Sequence, residues 1–167
     1  MTPRLLATNG LWLSDTWSVE REAGAAPAGL AVLLPLETWL AAAPSPSRSV
    51  WLAPHDQLDA LAGRLDGLAL IGIEFPKFTD GRGYTLAHGL RTRLGYTGEL
   101  RAIGDVLIDQ LFLLRRVGFS QFALRADQDP EAAVAALSRY SDAYQGSVDQ
   151  PLPAFRRGPR AATGVAA

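Results

Sequence analysis

From residue 68 onward the chain alternates short apolar runs with helix-forming segments, and this alternation restricts the fold more than any other sequence feature. The run 68-LALIGIEF-75 reads as a strand covered on both faces by helices, because a strand with one solvated face would alternate with polar residues. A helix from Gly81 or Arg82 to Leu94 follows, with Asp80 as its N-cap and Gly95 as its stop. Then come a strand at 99-ELRAIG-104, a helix at 105-DVLIDQLFLLRRV-117 ended by Gly118, a strand at 121-QFALRA-126, and a helix at 130-PEAAVAALSRYSDAY-144 capped by Asp129. Strand followed by helix three times over predicts a parallel sheet with right-handed crossovers.

Upstream the signal is weaker. The run 30-LAVLLP-35 suits a buried strand and LETWLAA a helix; 49-SVWLA-53 is a further strand, and HDQLDALAGRL places Leu58, Leu61 and Leu65 along one helical face before Gly67. Residues 1–28 read as a peripheral segment, in which LWLSD and WSV form a hairpin or edge strands ahead of a loop, REAGAAPAG. The expectation is an α/β fold, with a mostly parallel sheet of about five strands that is either an open three-layer sheet or half of a β/α barrel. Residues 1–157 form a single domain on this reading, and 158–167, rich in Pro, Gly and Ala, form a flexible tail.

Composition narrows the function classes. Cysteine is absent, which excludes thiol nucleophiles and the binding of zinc or an iron–sulfur cluster through cysteine; the cofactor is otherwise undefined. His55 and His88 lie far apart, without a carboxylate at metal-ligand spacing, so no metal site is expected. A net charge of -1 supplies no field for nucleic acid or an anionic membrane, and basic and aromatic residues are not interleaved as in an RNA-binding sheet. No apolar run is long enough to span a bilayer and the start lacks a signal-peptide core, which predicts a cytoplasmic protein.

Charge concentrates in 76-PKFTDGRGYTLAHGLRTRLGYTGELRAIGDVLIDQ-110. In a parallel sheet the loops after the strands meet at one edge, where ligands of α/β proteins bind. Glu74, Lys77, Asp80, Arg82, Asp105, Arg125 and Asp127 are thereby candidates to converge. One reading is an anion site in which Lys77 and Arg82 supply charge at a helix N-terminus. The other makes Asp80, Asp105 and Asp129 helix caps bridged by arginines. Of 16 lysines and arginines, Lys77 is the only lysine, which singles out its compact amine. No phosphate-loop or dinucleotide fingerprint occurs.

In the helix expected at 105–117, apolar side chains cover most of the circumference and leave Asp109 and Arg116 near each other on the remaining strip. Burial by tertiary packing or by a subunit or partner both fit, and Gln110 is positioned for a buried hydrogen bond. Of the tryptophans, Trp39 and Trp51 read as core, and Trp12 and Trp17 as contact candidates.

Two blocks carry a resemblance. Phe75, Pro76, Phe78, Asp80, Gly81, Arg82 and Tyr84 form the first; Leu90, Arg91, Arg93, Gly95, Tyr96, Gly98 to Ala102, Gly104 to Val106, Asp109 and Gln110 form the second. With this spacing the chain resembles a family of small bacterial proteins of unknown function encoded beside sulfite reductase and sulfate-assimilation genes, often given an oxidoreductase label. Thr85 stands where the family has serine. The resemblance implies an accessory role in assimilatory sulfite reduction and cysteine biosynthesis, with sulfite reductase as partner. It leaves open whether the chain catalyses a reaction, and a homo-oligomer is compatible with it. Lys77, Asp80, Arg82, Tyr84, Arg91, Arg101, Asp105, Asp109 and Gln110 are the ligand- or partner-binding candidates, without an assigned catalytic residue. The alternative function is a small-molecule enzyme or anion-binding protein with its site at the C-terminal ends of the strands.

Overall fold

The computed structural model describes residues 4–21, 29–140 and 142–157. The expected loop at 22–28 and the tail at 158–167 lie outside the described residues. Among the described residues the fold is mixed α/β, with a sheet of eight strands rather than about five. Strands β1 (Arg4–Ala7), β2 (Trp12–Leu13), β3 (Trp17–Val19), β4 (Ala31–Pro35), β5 (Arg48–Leu52), β6 (Leu70–Phe75), β7 (Glu99–Gly104) and β8 (Gln121–Leu124) lie in the order β2-β1-β8-β7-β6-β5-β4-β3. From β3 to β8 every neighbouring pair is parallel, whereas β1 is antiparallel to both β8 and β2. Of the N-terminal segment, Trp12–Leu13 and Trp17–Val19 are the two edge strands, as expected, whereas β1 is an inner strand with Leu6 fully buried, so the segment is not wholly peripheral.

That arrangement forces the sheet to curl. Eight strands laid flat would separate β2 from β3 by roughly 34 Å. Only Ser14, Asp15 and Thr16 link them, a path of at most about 15 Å. The sheet is thus a curled, half-barrel one, and its two faces carry different cores. The outer core holds Val50, Ile71, Phe75, Leu100 and Phe122 from the strands with Leu36, Leu58, Leu86, Leu111 and Ala133 from the crossovers. The inner core gathers the alternate strand residues Leu5, Leu33, Trp51, Leu70, Ile103 and Ala123. Curling lets these inner residues bury one another without a second layer of helices.

The crossovers are α1 (Leu36–Ala41), a 3₁₀ turn at Leu58–Leu61, α2 (Arg82–Thr92), a 3₁₀ turn at Ile108–Gln110 running into α3 (Leu111–Arg116), and α4 (Pro130–Leu137). Several are shorter than their apolar periodicity suggests. The helix expected after Pro54 closes after one turn; Gly63 follows in a left-handed conformation, with φ of 72°. The helix expected from Asp105 begins only at Ile108, because Leu107 is extended and the Asp105 carboxylate bonds elsewhere. Helix α4 stops at Leu137 rather than Tyr144; the Arg115 guanidinium takes the Leu137 carbonyl at 2.8 Å. Asp129 caps α4 as expected, accepting from Ala132 N at 2.7 Å. Trp51 is buried and Trp39 packs half-buried against the outer core, while Trp17 lies against the inner one and Trp12 is exposed.

Candidate functional site

The C-terminal ends of β6, β7 and β8 carry the loops that hold most of the candidate residues. β6 ends at Phe75, and the chain leaves through Pro76, Lys77, Phe78 and Thr79 before α2. β7 ends at Gly104, whose φ of 95° and close approach to the Phe75 carbonyl turn the chain so that Asp105 N donates to Phe75 O at 2.7 Å. This turn aims the Asp105 carboxylate back over the first loop. One oxygen accepts from Phe78 N at 2.9 Å, and the other accepts from Arg125 Nη1 at 2.8 Å. Arg125 also holds Asp127 through two bonds, of 2.7 and 2.9 Å. The Arg125 guanidinium draws the Asp127 carboxyl down to about 2, and its own pKa rises because both carboxylates hold the charged form.

Gln110 completes the support. Its Nε2 donates to Phe78 O at 3.1 Å, and its Oε1 accepts from Leu107 N at 2.8 Å, the buried hydrogen bond expected from its place between apolar arcs. Both backbone groups of Phe78 are therefore tied to side chains beyond β7, while the Phe78 residue stays 53% exposed. On the other side of the loop Asp80 does not cap α2. Gly81 occupies the N-cap position, and the Asp80 carboxylate accepts from Arg82 N at 3.1 Å and from its guanidinium at 3.0 and 2.6 Å. That guanidinium draws the Asp80 carboxyl down to about 2 and is itself raised by it. Tyr84 packs edge-on against Phe75, with ring centroids 5.4 Å apart, and burial pushes its phenol up. Lys77 is exposed beside Phe78, with no ion pair among the described residues.

Lys77, Asp80, Arg82, Tyr84, Asp105 and Gln110 thus belong to one neighbourhood around the Phe78 loop. Arg91, Arg101 and Asp109 do not. Arg91, on the last turn of α2, donates to the carbonyls of Tyr96 and Gly98 at 2.7 Å each and twice to Gly118 O at 3.0 and 2.8 Å, tying together the chain entering β7 and β8. Arg101 points to the inner face, 3% exposed, where it pairs with Asp15 at 2.7 Å and donates to Gln121 at 3.0 Å. An anion pocket gathering Lys77, Asp80, Arg82, Arg101 and Asp105 is therefore not assembled, since the strand pleat turns Arg101 inward and Asp15 neutralises it. Asp109 is exposed on the 3₁₀ turn and does not pair with Arg116, whose guanidinium is buried and donates to Gln145 O at 2.5 Å.

Phe78 counts in the sequence only as part of a motif. Of the charges expected to converge at the strand ends, Arg125 and Asp127 join Asp105, whereas Glu74 does not. Glu74 points to the inner face and pairs with Arg21, a contact across 53 residues that no local spacing announces. Among the described residues no group of His, Cys, Asp and Glu is arranged to hold a metal ion, and no helix is long and apolar enough to cross a membrane.

No curated protein and no solved structure matches the chain. Residues 49–155, from β5 to the segment beyond α4, match the model of a bacterial family of unknown function, and by that match the chain belongs to the DUF934 family.

Proposed function

We propose that the protein is an accessory, docking component of assimilatory sulfite reduction that binds sulfite reductase through the loop around Phe78. The observation that carries the docking role is the clamp on Phe78. A lone exposed aromatic on a mobile loop is unremarkable surface. Here two side chains hold the backbone of Phe78 in place while its ring faces solvent, so a partner would bury the ring without first ordering the loop. Phe78 is an aromatic of the kind enriched at interface cores, and the exposed Lys77 stands beside it. The choice of partner rests on the sequence resemblance over residues 75–110. The test is a pull-down of tagged protein from sulfate-grown cells. Recovery of sulfite reductase by the wild type and its loss with Phe78→Ala, in a protein that melts like the wild type, is the expected result. Equal recovery by both, or none by either, overturns the reading.

A second reading, a small-anion site, draws on Lys77, the amine left without an ion pair at the strand ends where α/β proteins bind ligands. Sulfite or sulfate binding by the isolated protein, lost in Lys77→Ala, would favour it over docking.

A further inference from the structure

The opposite end of β6 carries a feature that the docking role does not use. Between the C-terminal end of α1, the proline-stiffened loop before β5 and the turn before β6 lies an open cavity of about 490 Å³. Its apolar wall is formed by Trp39, Leu40 and Leu68, and its rim by Arg48, Arg64 and Asp66. Cavities of this size and mixed lining suit a small organic molecule.

Two arginines on one rim distinguish this cavity from the groove between α3 and α4, which has only Arg139. Arg21, Arg82, Arg93, Arg101, Arg125 and Arg157 are each ion-paired, and Arg91, Arg115 and Arg116 bond main-chain carbonyls. Among the described residues the other arginines, Arg4, Arg48, Arg64, Arg139 and Arg156, have no carboxylate partner, and of these Arg48 and Arg64 share one rim; the side chain of Arg48 makes a 3.4 Å contact with Ala43 O. The rim thus carries a net positive charge above a half-buried indole. An arginine pair offers a forked set of donors to an acid group, and the indole offers a flat face to an apolar body.

We propose that this cavity binds an organic anion with a flat apolar body, the acid group on Arg48 and Arg64 and the body against Trp39, with Asp66 available to a donor on the ligand. The site lies a full strand length, roughly 20 Å, from the Phe78 loop, so it stands independently of the docking role.

The probe is an anilinonaphthalene sulfonate, titrated calorimetrically into the full chain, with the sulfonate-free phenylnaphthylamine as its uncharged counterpart. Saturable binding of one sulfonate is expected, weakened about tenfold or more in the Arg48→Ala/Arg64→Ala double variant and in Arg64→Glu, with weaker binding of the uncharged compound. Trp39→Ala should weaken both probes. Tyr140→Ala, in the separate groove between α3 and α4, should change neither. Both arginines are exposed, so the variants should melt with the wild type. Equal affinity of the double variant and the wild type, equal affinity for the two probes, or a loss confined to Tyr140→Ala overturns the proposal.

Discussion

Gln110 reaches across from the start of α3 to hold the carbonyl of Phe78, 32 residues earlier, at 3.1 Å. The same side chain accepts from Leu107 N, so one buried amide sets both the exposed loop and the start of α3. Gln110→Ala leaves two main-chain groups without their partner and should cost about 1–3 kcal/mol in chemical denaturation. Phe78→Ala should leave stability within about 0.5 kcal/mol. The contrast separates the residue that holds the loop from the residue the loop presents.

Arg91 ties three carbonyls with a planar fork that lysine cannot reproduce. Burial already pulls its pKa down, so the site tolerates the charge only because its donors are satisfied. Arg91→Lys should therefore destabilise by roughly 2 kcal/mol, read as a lower denaturation midpoint with an unchanged slope.

Asp15 and Arg101 form an asymmetric pair. Arg101 is 3% exposed at its side chain and Asp15 35%, so removing the carboxylate strands a buried cation while removing the arginine strands little. Asp15→Ala should lose about 2–3 kcal/mol, and Arg101→Met clearly less. A larger loss from Arg101→Met would contradict this ordering.

Asp80 has a folded-state pKa depressed from 3.8 to about 2 by its bonds to Arg82. A depressed carboxyl stabilises the fold above its unfolded value and loses that contribution as pH falls through the folded one. The contribution should fade between about pH 4 and pH 2, and Asp80→Asn should flatten that part of the acid stability profile. Asp127 is lowered to about 2 by Arg125 and acts over the same window, so Asp80→Asn should remove only part of the slope.

Two left-handed glycines should respond differently to alanine. At Gly95 a Cβ meets open space, and the cost should be about 1 kcal/mol from backbone strain alone. At Gly104 the Cβ would lie 2.4 Å from Phe75 O, in the turn that aims Asp105 at Phe78, and Gly104→Ala should lose at least about 3 kcal/mol. Thermal melts of the two variants check the order.

The sequence by itself determined the strand–helix alternation after residue 68, the stops at Gly95 and Gly118 and the cap at Asp129, because apolar period, positive-φ glycine and side-chain capping act within a few residues. The burial of Gln110 was legible for the same reason, since its flanking apolar arcs lie on one short segment. Tertiary structure decided what depends on distant partners. The curl follows from which strands pair, and β1 joins β8 from the other end of the chain. Asp105 reads as a cap in isolation and becomes a clamp only when β6 and β7 lie side by side. Arg101 shares a charged motif with Arg82, yet the strand pleat and Asp15 place it inside the curled sheet. Local propensity cannot encode these outcomes, because each requires residues that meet only once the sheet has closed around its inner core.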